Sequence, residues 1–291
     1  MARFRHSDKD FTRDMLPKNR KEVFFDVLKL HWGKLLVCGL ILLVFALPLH
    51  ISAIVSDMYD ITLRQQFSEG TITAEQMAGL YISFTNTRGL IDIALCVIFS
   101  VGLAAVLRIA RQLAWEENVF MRYDVVKGIK QNALQCVLLG IIFGIIRFAC
   151  NYFMNALVSK NGIPYVGAAI TVISIVLFAP AAIYSLMAIC IYGNKFQHNL
   201  RLGFLLYFKH PIKTLGIFLA CVAIFIPQFI PLVSPVLVIV HIVFRIISSV
   251  LSGIILLILF LFASSLLDKD INPKHHPELI ERGILGRDKQ E

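Results

Sequence analysis

Long apolar runs separated by short charged segments dominate the chain. Six runs are each close to the ~20 residues that a bilayer-spanning helix needs, and they cover residues 35–55, 90–107, 134–157, 163–192, 215–233 and 247–267. The pattern predicts an all-α membrane protein in which residues 35–267 form a six-transmembrane-helix bundle. Charged segments at 1–34 and 268–291 flank this predicted transmembrane domain.

Prolines mark the least regular of the predicted spans. Pro180 lies inside the fourth run, where a missing backbone N–H predicts a kink. Three further prolines lie at or just beyond the end of the fifth run, at positions 227, 231 and 235. The fifth helix is therefore expected to end near Phe229 and to be followed by a short interfacial or re-entrant piece.

The distribution of charge predicts the orientation of the bundle. With 57% hydrophobic residues and a mean hydropathy of +0.74, the chain falls outside the soluble classes. Of its 28 lysines and arginines, 23 lie in the amino-terminal segment, the loops at 108–133 and 193–214, and the tail. The positive-inside rule places these segments and both termini in the cytoplasm, and the acidic loop at 56–89 outside. The predicted location is the plasma membrane.

Two local patterns add helices to this plan. In the amino-terminal segment, apolar residues recur at helical spacing and predict an amphipathic helix on the membrane surface; they are Phe25, Leu28, Trp32 and Leu35. In the outer loop, Thr73 and Gln76 have the spacing of a capping box. They predict a short separate helix before the second span.

The three basic segments that lead into spans resemble one another. FFDVLK in the first and RYDVVK in the second share an aromatic-Asp-Val-x-Lys pattern that aligns Lys29 with Lys127. The third keeps an aromatic residue and Lys209 but lacks the aspartate. One interpretation is a weak repeat of three helical hairpins. The alternative is that every cytoplasmic entrance to a span favours aromatic residues and lysines at the headgroup level.

Arg147 is the one basic residue inside a predicted span, and Asp92 is the one acidic residue. Small and polar residues share the helix face of Arg147 at steps of three or four; they are Gly140, Gly144, Asn151 and Asn155. This face predicts either a site for an anionic or polyhydroxyl ligand or a structural Arg147–Asp92 pair, because a buried arginine is costly against lipid. The glycine pair predicts close packing on a neighbouring helix, within the chain or in a homo-oligomer.

A second candidate surface lies between the second and third spans. Basic and aromatic residues alternate there at the expected cytoplasmic face, which is typical of a partner surface or of contact with anionic lipid headgroups; they are Arg111, Trp115, Phe120, Tyr123, Lys127 and Lys130. Orientation and lipid explain this charge without nucleic acid, which is not an expected partner.

Motifs of enzymes and cofactor sites are missing from the sequence. It contains no G-x-x-x-x-G-K-[ST], H-E-x-x-H or G-x-S-x-G, so we expect neither catalysis nor a cofactor. The six cysteines lie in apolar runs without C-x-x-C spacing. They are expected to be buried packing residues rather than metal ligands or disulfide partners.

The segment VGLAAVLRIARQLAWEENVFMRYDVVKGIKQN resembles the YesL-like membrane proteins of Gram-positive bacteria. Six residues stand at positions of that family's pattern, namely Arg111, Glu117, Phe120, Tyr123, Asp124 and Lys127, whereas Trp115-Glu116 departs from the usual Gly-Glu. The resemblance implies a non-enzymatic accessory or regulatory role in carbohydrate uptake, with sugar-transporter components as partners. The alternative from the residues alone is a small-solute transporter that uses the Arg147 face.

Overall fold

The computed structural model describes residues 16–158, 164–229 and 235–284. Its described regular structure is entirely helical and contains no strand. The α-helices are α1 (Arg20–Ser68), α2 (Ala74–Ala114), α3 (Met121–Val158), α4 (Pro164–Ile173), α5 (Ala179–Tyr192), α6 (Phe196–Lys209), α7 (Pro211–Val222), α8 (Pro235–Asp270) and α9 (Asn272–His275). Within these described ranges, six helical segments are long and apolar enough to cross a membrane. The predicted all-α, six-helix architecture is confirmed.

The first two helices form a hairpin that is much longer than the predicted spans. α1 has 49 residues and α2 has 41. The turn between them contains Gly70 with φ +71°, a left-handed conformation that favours glycine. The predicted capping box is present, because the Thr73 side chain accepts from the Gln76 N–H and the Gln76 side chain accepts from the Thr73 N–H.

The prediction of a separate short helix at Thr73 is wrong, since α2 continues from Ala74 through the second span without a break. No proline falls between residues 56 and 89 to end either helix. The hairpin is therefore helical through almost the whole predicted outer loop. At the other end of α1, His31 has the non-helical angles φ −128° and ψ 18°, which places a kink between the amphipathic start and the apolar run.

Prolines reshape the fourth and fifth spans. A π-helical turn at Ser174–Phe178 precedes Pro180, whose missing N–H cannot complete a regular α-helical ladder. In the fifth span, α7 gives way to a 3₁₀ helix at Ala223–Phe229 that contains Pro227. Regular structure thus reaches Phe229, where the sequence predicted an end. The expected interfacial piece and Pro231 lie outside the described residues.

The best-packed part of the molecule lies at one end of the bundle. We call this the basic end; it comprises the end of α2, the start of α3, residues 193–210 and the tail at 271–284. Residues 104–110 and 112–114 of α2 are all buried, since α1, α3, α5 and α8 pack around this helix. Tyr184 of α5 and Phe260 of α8 belong to the same buried core and are fully enclosed.

Candidate functional site

Arg147 and Asp92 form an ion pair between α3 and α2. The Arg147 guanidinium lies 3.2 Å from the Asp92 carboxylate, whose side chain is 4% exposed while that of Arg147 is 39% exposed. Ser52 on α1 donates a hydrogen bond of 2.7 Å to the same carboxylate. Asp92 therefore joins three helices, whereas much of Arg147 remains accessible.

Two further arginines extend this pair into a charged cluster. Arg88 lies 3.7 Å from Asp92 and donates to the Ser52 hydroxyl at 3.1 Å. On α8, Arg245 lies 3.2 Å from Asp57. We use the name outer cluster for Arg88, Arg147, Arg245, Asp57 and Asp92. With three cations and two carboxylates, the outer cluster carries one positive charge in excess.

Sequence reasoning missed three members of the outer cluster. It assigned Asp57, Arg88 and Arg245 to loops, because each lies outside the apolar runs. The continuous helices instead place them beside the predicted pair. One signal in the sequence was usable, since Arg88 precedes Asp92 by four residues, which is the spacing of facing side chains on a helix.

The glycine face of α3 packs against α2 within the chain. A Cβ added at Gly140 would overlap the Ser100 hydroxyl, and one added at Gly144 would lie 3.0 Å from the Ile93 Cα. The expected close approach of a neighbouring helix therefore occurs, and the neighbour is α2. Because α2 occupies this face, the interpretation of Gly140 and Gly144 as an oligomer interface is not supported.

The two asparagines on the predicted face behave differently. Asn155 is buried and its amide donates to the Thr85 hydroxyl at 2.7 Å and to the Asn86 side chain at 3.0 Å. Asn151 is exposed. Asn155 is therefore a link between α3 and α2, and the structure does not bring Asn151 into the polar face that contains Arg147.

A cavity opens beside Arg147 between α2, α3 and α5. Its volume is about 270 Å³, and its walls are mainly apolar, with Leu49 of α1 also contributing. Its lining includes Cys96, Phe99, Ser100, Leu103, Cys136, Leu139, Phe143, Ala182, Ile183 and Leu186. Among these described lining residues, Arg147 is the only charged group.

Trp115 does not lie on an exposed surface. It is only 9% exposed, its ring contacts Phe260 at a centroid distance of 6.4 Å, and the Arg111 guanidinium lies over it at 5.0 Å. Arg111 also donates to the Cys190 carbonyl at 2.8 Å. The expectation that both residues face a partner is corrected, because the end of α2 is enclosed by α5, α8 and the tail.

The other four predicted residues lie at the start of α3 and face outward. We call Phe120, Tyr123, Lys127 and Lys130 the α3 strip. Phe120 is 69% and Tyr123 60% exposed. Lys127 lies 5.2 Å from the centre of the Tyr123 ring and donates to its hydroxyl at 3.2 Å, so the strip combines an apolar surface with a positive charge.

Asp124 separates this outward face from the core. It is 1% exposed, accepts from the Phe120 N–H at 2.8 Å, and accepts from Arg108 and Gln112 at 3.1 Å each. A buried ion pair with this many hydrogen bonds fixes the start of α3 against the end of α2. The outward position of the α3 strip follows from this anchor.

Comparisons with known proteins add no assignment. No protein-family model matches the chain, and no curated protein and no solved structure matches it. In the described part of the chain, no three histidine, cysteine, aspartate or glutamate residues are grouped as a metal site. The functional argument therefore depends on the contacts, charges and cavity described above.

Proposed function

We propose that the chain is a multi-pass plasma-membrane protein with the basic end and both termini in the cytoplasm. The excess of lysine and arginine at that end supports this orientation. Exposed aromatic residues in all three basic segments support a position at the membrane interface, since aromatic side chains favour either interface; they include Phe25, Trp32, Phe120, Tyr123 and Phe208.

Labelling of an introduced cysteine in intact cells tests the orientation, because five of the six native cysteines are buried and only Cys150 is partly exposed. In a Cys150→Ser background, Ser68→Cys lies at the turn of the long hairpin and Glu278→Cys lies in the tail, and both positions are exposed. A membrane-impermeant maleimide is expected to label the first variant and not the second. Labelling of the second alone contradicts the proposed orientation.

We propose that the chain works without catalysis, as a YesL-like accessory or regulatory component of carbohydrate uptake. The observation that carries this proposal is the α3 strip, which lies within the segment that resembles the family. Its lysines and aromatic rings suit an acidic surface of a transporter component at the cytoplasmic face. Asp124 holds the start of α3 against the core, so the residues of the α3 strip can remain exposed while this end of the helix stays packed.

Co-purification from native membranes tests this role. We expect the full-length tagged chain to recover a sugar-transporter component, and the double variant Phe120→Ser/Lys127→Ser to lose about tenfold of that recovery, as for removal of a central contact. Phe208→Ser is the matched control, because Phe208 is an equally exposed aromatic residue in another basic segment (64% exposed). Equal recovery with the double variant and the control contradicts the proposal.

A second candidate function is transport of a small solute along the Arg147 face. The observation that favours it is the exposure of Arg147 at a cavity beside the outer cluster. Arg147→Gln is then expected to abolish uptake, while Arg64→Gln leaves uptake unchanged, because Arg64 is an exposed arginine paired only locally with Asp60. Normal uptake by correctly assembled Arg147→Gln protein removes this candidate.

A further inference from the structure

The cavity beside Arg147 has the chemistry of an amphiphile site. Ser100 is the lining residue with a hydroxyl group, and that hydroxyl donates to the Cys96 carbonyl within α2 at 2.7 Å. A polyhydroxyl solute would therefore find few hydrogen-bond partners on these walls, and burial of unpaired hydroxyl groups is costly. An alkyl chain meets no such cost.

The position of Arg147 gives the cavity one charged and one apolar end. From Arg147 to Cys136 the lining follows α3 over 11 residues, which at a rise of 1.5 Å per residue is roughly 16 Å. The volume of about 270 Å³ lies just below the range of roughly 300–1,000 Å³ that is usual for small-molecule sites. An apolar space of this length and volume suits one alkyl chain and is too small for a two-chain phospholipid.

The outer cluster supplies the charge that an anionic headgroup would complement. Asp92 is shared by Arg88 and Arg147, and Asp57 pairs with Arg245. One positive charge is left in excess beside a cavity with mainly apolar walls, and an unbalanced charge there is unfavourable. Arg147 is the most exposed of the three arginines, at 39% against 21% and 13% for the side chains of Arg88 and Arg245.

We propose that this cavity binds a single-chain anionic amphiphile of the fatty-acid class. The carboxylate pairs with the Arg147 guanidinium, and the alkyl chain follows α3 between α2 and α5 toward Cys136. This inference does not depend on the docking role of the α3 strip, which lies at the other end of α3.

Binding of labelled palmitate to the full-length protein in phosphatidylcholine nanodiscs tests the proposal. We expect saturable binding that unlabelled palmitate displaces and hexadecanol, which has the same chain without the charge, displaces at least tenfold less well. Arg147→Gln is expected to weaken binding about tenfold, as for loss of a charge-assisted contact. Arg64→Gln is the matched control and should bind as the wild type does.

A second pair of variants tests the apolar half of the site without touching the charges. Ala182→Phe fills the cavity from α5 and should abolish binding, whereas Leu134→Phe enlarges a residue that is 75% exposed and should not. Thermal unfolding verifies that each variant is folded. Wild-type binding by folded Ala182→Phe overturns the proposal, as does equal displacement by hexadecanol. Full displacement by phosphatidylglycerol assigns the site to a two-chain lipid and also overturns it.

Discussion

The Arg282 guanidinium lies over the indole ring of Trp115, with 4.4 Å between the guanidinium carbon and the ring centre. Arg282 also forms an ion pair of 2.7 Å with Glu117, and its backbone carbonyl accepts from Arg20 at 2.6 Å. The tail is thus held against the loop after α2 and the start of α1. Arg282 is the residue on which these contacts converge, and Trp115 is its large buried partner.

Replacement of Trp115 by serine is expected to destabilise the protein by about 3–5 kcal/mol, the range for removal of a large buried aromatic side chain. The loss includes packing on Phe260 and both cation–π contacts. Thermal unfolding in detergent measures the change, and limited proteolysis should show earlier cleavage of the tail. Trp32→Ser is the matched control, because Trp32 is 60% exposed. Equal unfolding temperatures for the two variants would show that Trp115 does not hold the tail.

The case of Trp115 shows what the sequence pattern could and could not predict. Alternating basic and aromatic residues at 111–130 correctly indicated a charged segment beside a span. The same pattern occurs on surfaces that face lipid and on surfaces that a distant part of the chain covers, so it does not distinguish the two. Arg282 lies more than 160 residues away in sequence, so its contact with this loop depends on tertiary packing that local spacing does not encode.

The aligned aspartates of the first two basic segments offer a test of the proposed repeat. Asp124 is buried against Arg108, whereas Asp26 is half-buried and accepts no hydrogen bond from the described residues. Asp124→Asn is expected to cost about 3 kcal/mol or more, because it leaves Arg108 buried without its countercharge. Asp26→Asn should not destabilise the protein. Thermal unfolding measures the loss of stability in both variants. Comparable losses for the two substitutions would indicate that the two aspartates are equivalent, as the repeat predicts.

Close helix contacts at glycine predict opposite effects for two Gly→Ala substitutions. A Cβ at Gly253 would collide with the Leu35 carbonyl oxygen of α1, so Gly253→Ala should destabilise the α1–α8 contact by about 1–3 kcal/mol. At Gly79, no atom lies within 4 Å of an added Cβ, and alanine should stabilise this exposed helical position by about 0.5–1 kcal/mol. Chemical unfolding measures both, and a neutral Gly253→Ala would show that α1 and α8 can separate without cost.

The fold was more predictable from the sequence than the outer cluster was. Hydropathy locates the spans because lipid requires continuous apolar length, and the Thr73–Gln76 capping box is a local signal. The cluster combines Asp57, Arg88 and Arg245 from three helices. Each residue lies outside an apolar run, so hydropathy assigns it to a loop, and only the continuation of the helices brings the three charges together.

Glu116 predicts a dependence of stability on pH. Although the residue as a whole is exposed, Glu116 lines a cleft together with Asp26. Partial burial, and then repulsion from Asp26, raise the pKa of Glu116 above its ordinary value of 4.5. A carboxyl group whose pKa is raised by folding favours the folded state when protonated. The ionised group therefore lowers the free energy of unfolding. This effect begins as the pH rises above about 4.5 and is fully present above the folded-state pKa of the group.

Glu116→Gln is accordingly expected to raise the unfolding temperature at pH 7 and to make no difference below the ordinary pKa of 4.5. Position 116 has the left-handed backbone angle φ +53°. Glutamine and glutamate have similar side chains, so the substitution removes the charge without changing the backbone cost of this conformation. Glu117→Gln is the control of opposite sign, since it removes the pair with Arg282 at 2.7 Å and should lower the unfolding temperature at pH 7. If the unfolding temperatures of wild type and Glu116→Gln change in parallel from pH 4 to pH 8, ionisation of Glu116 does not destabilise the folded state.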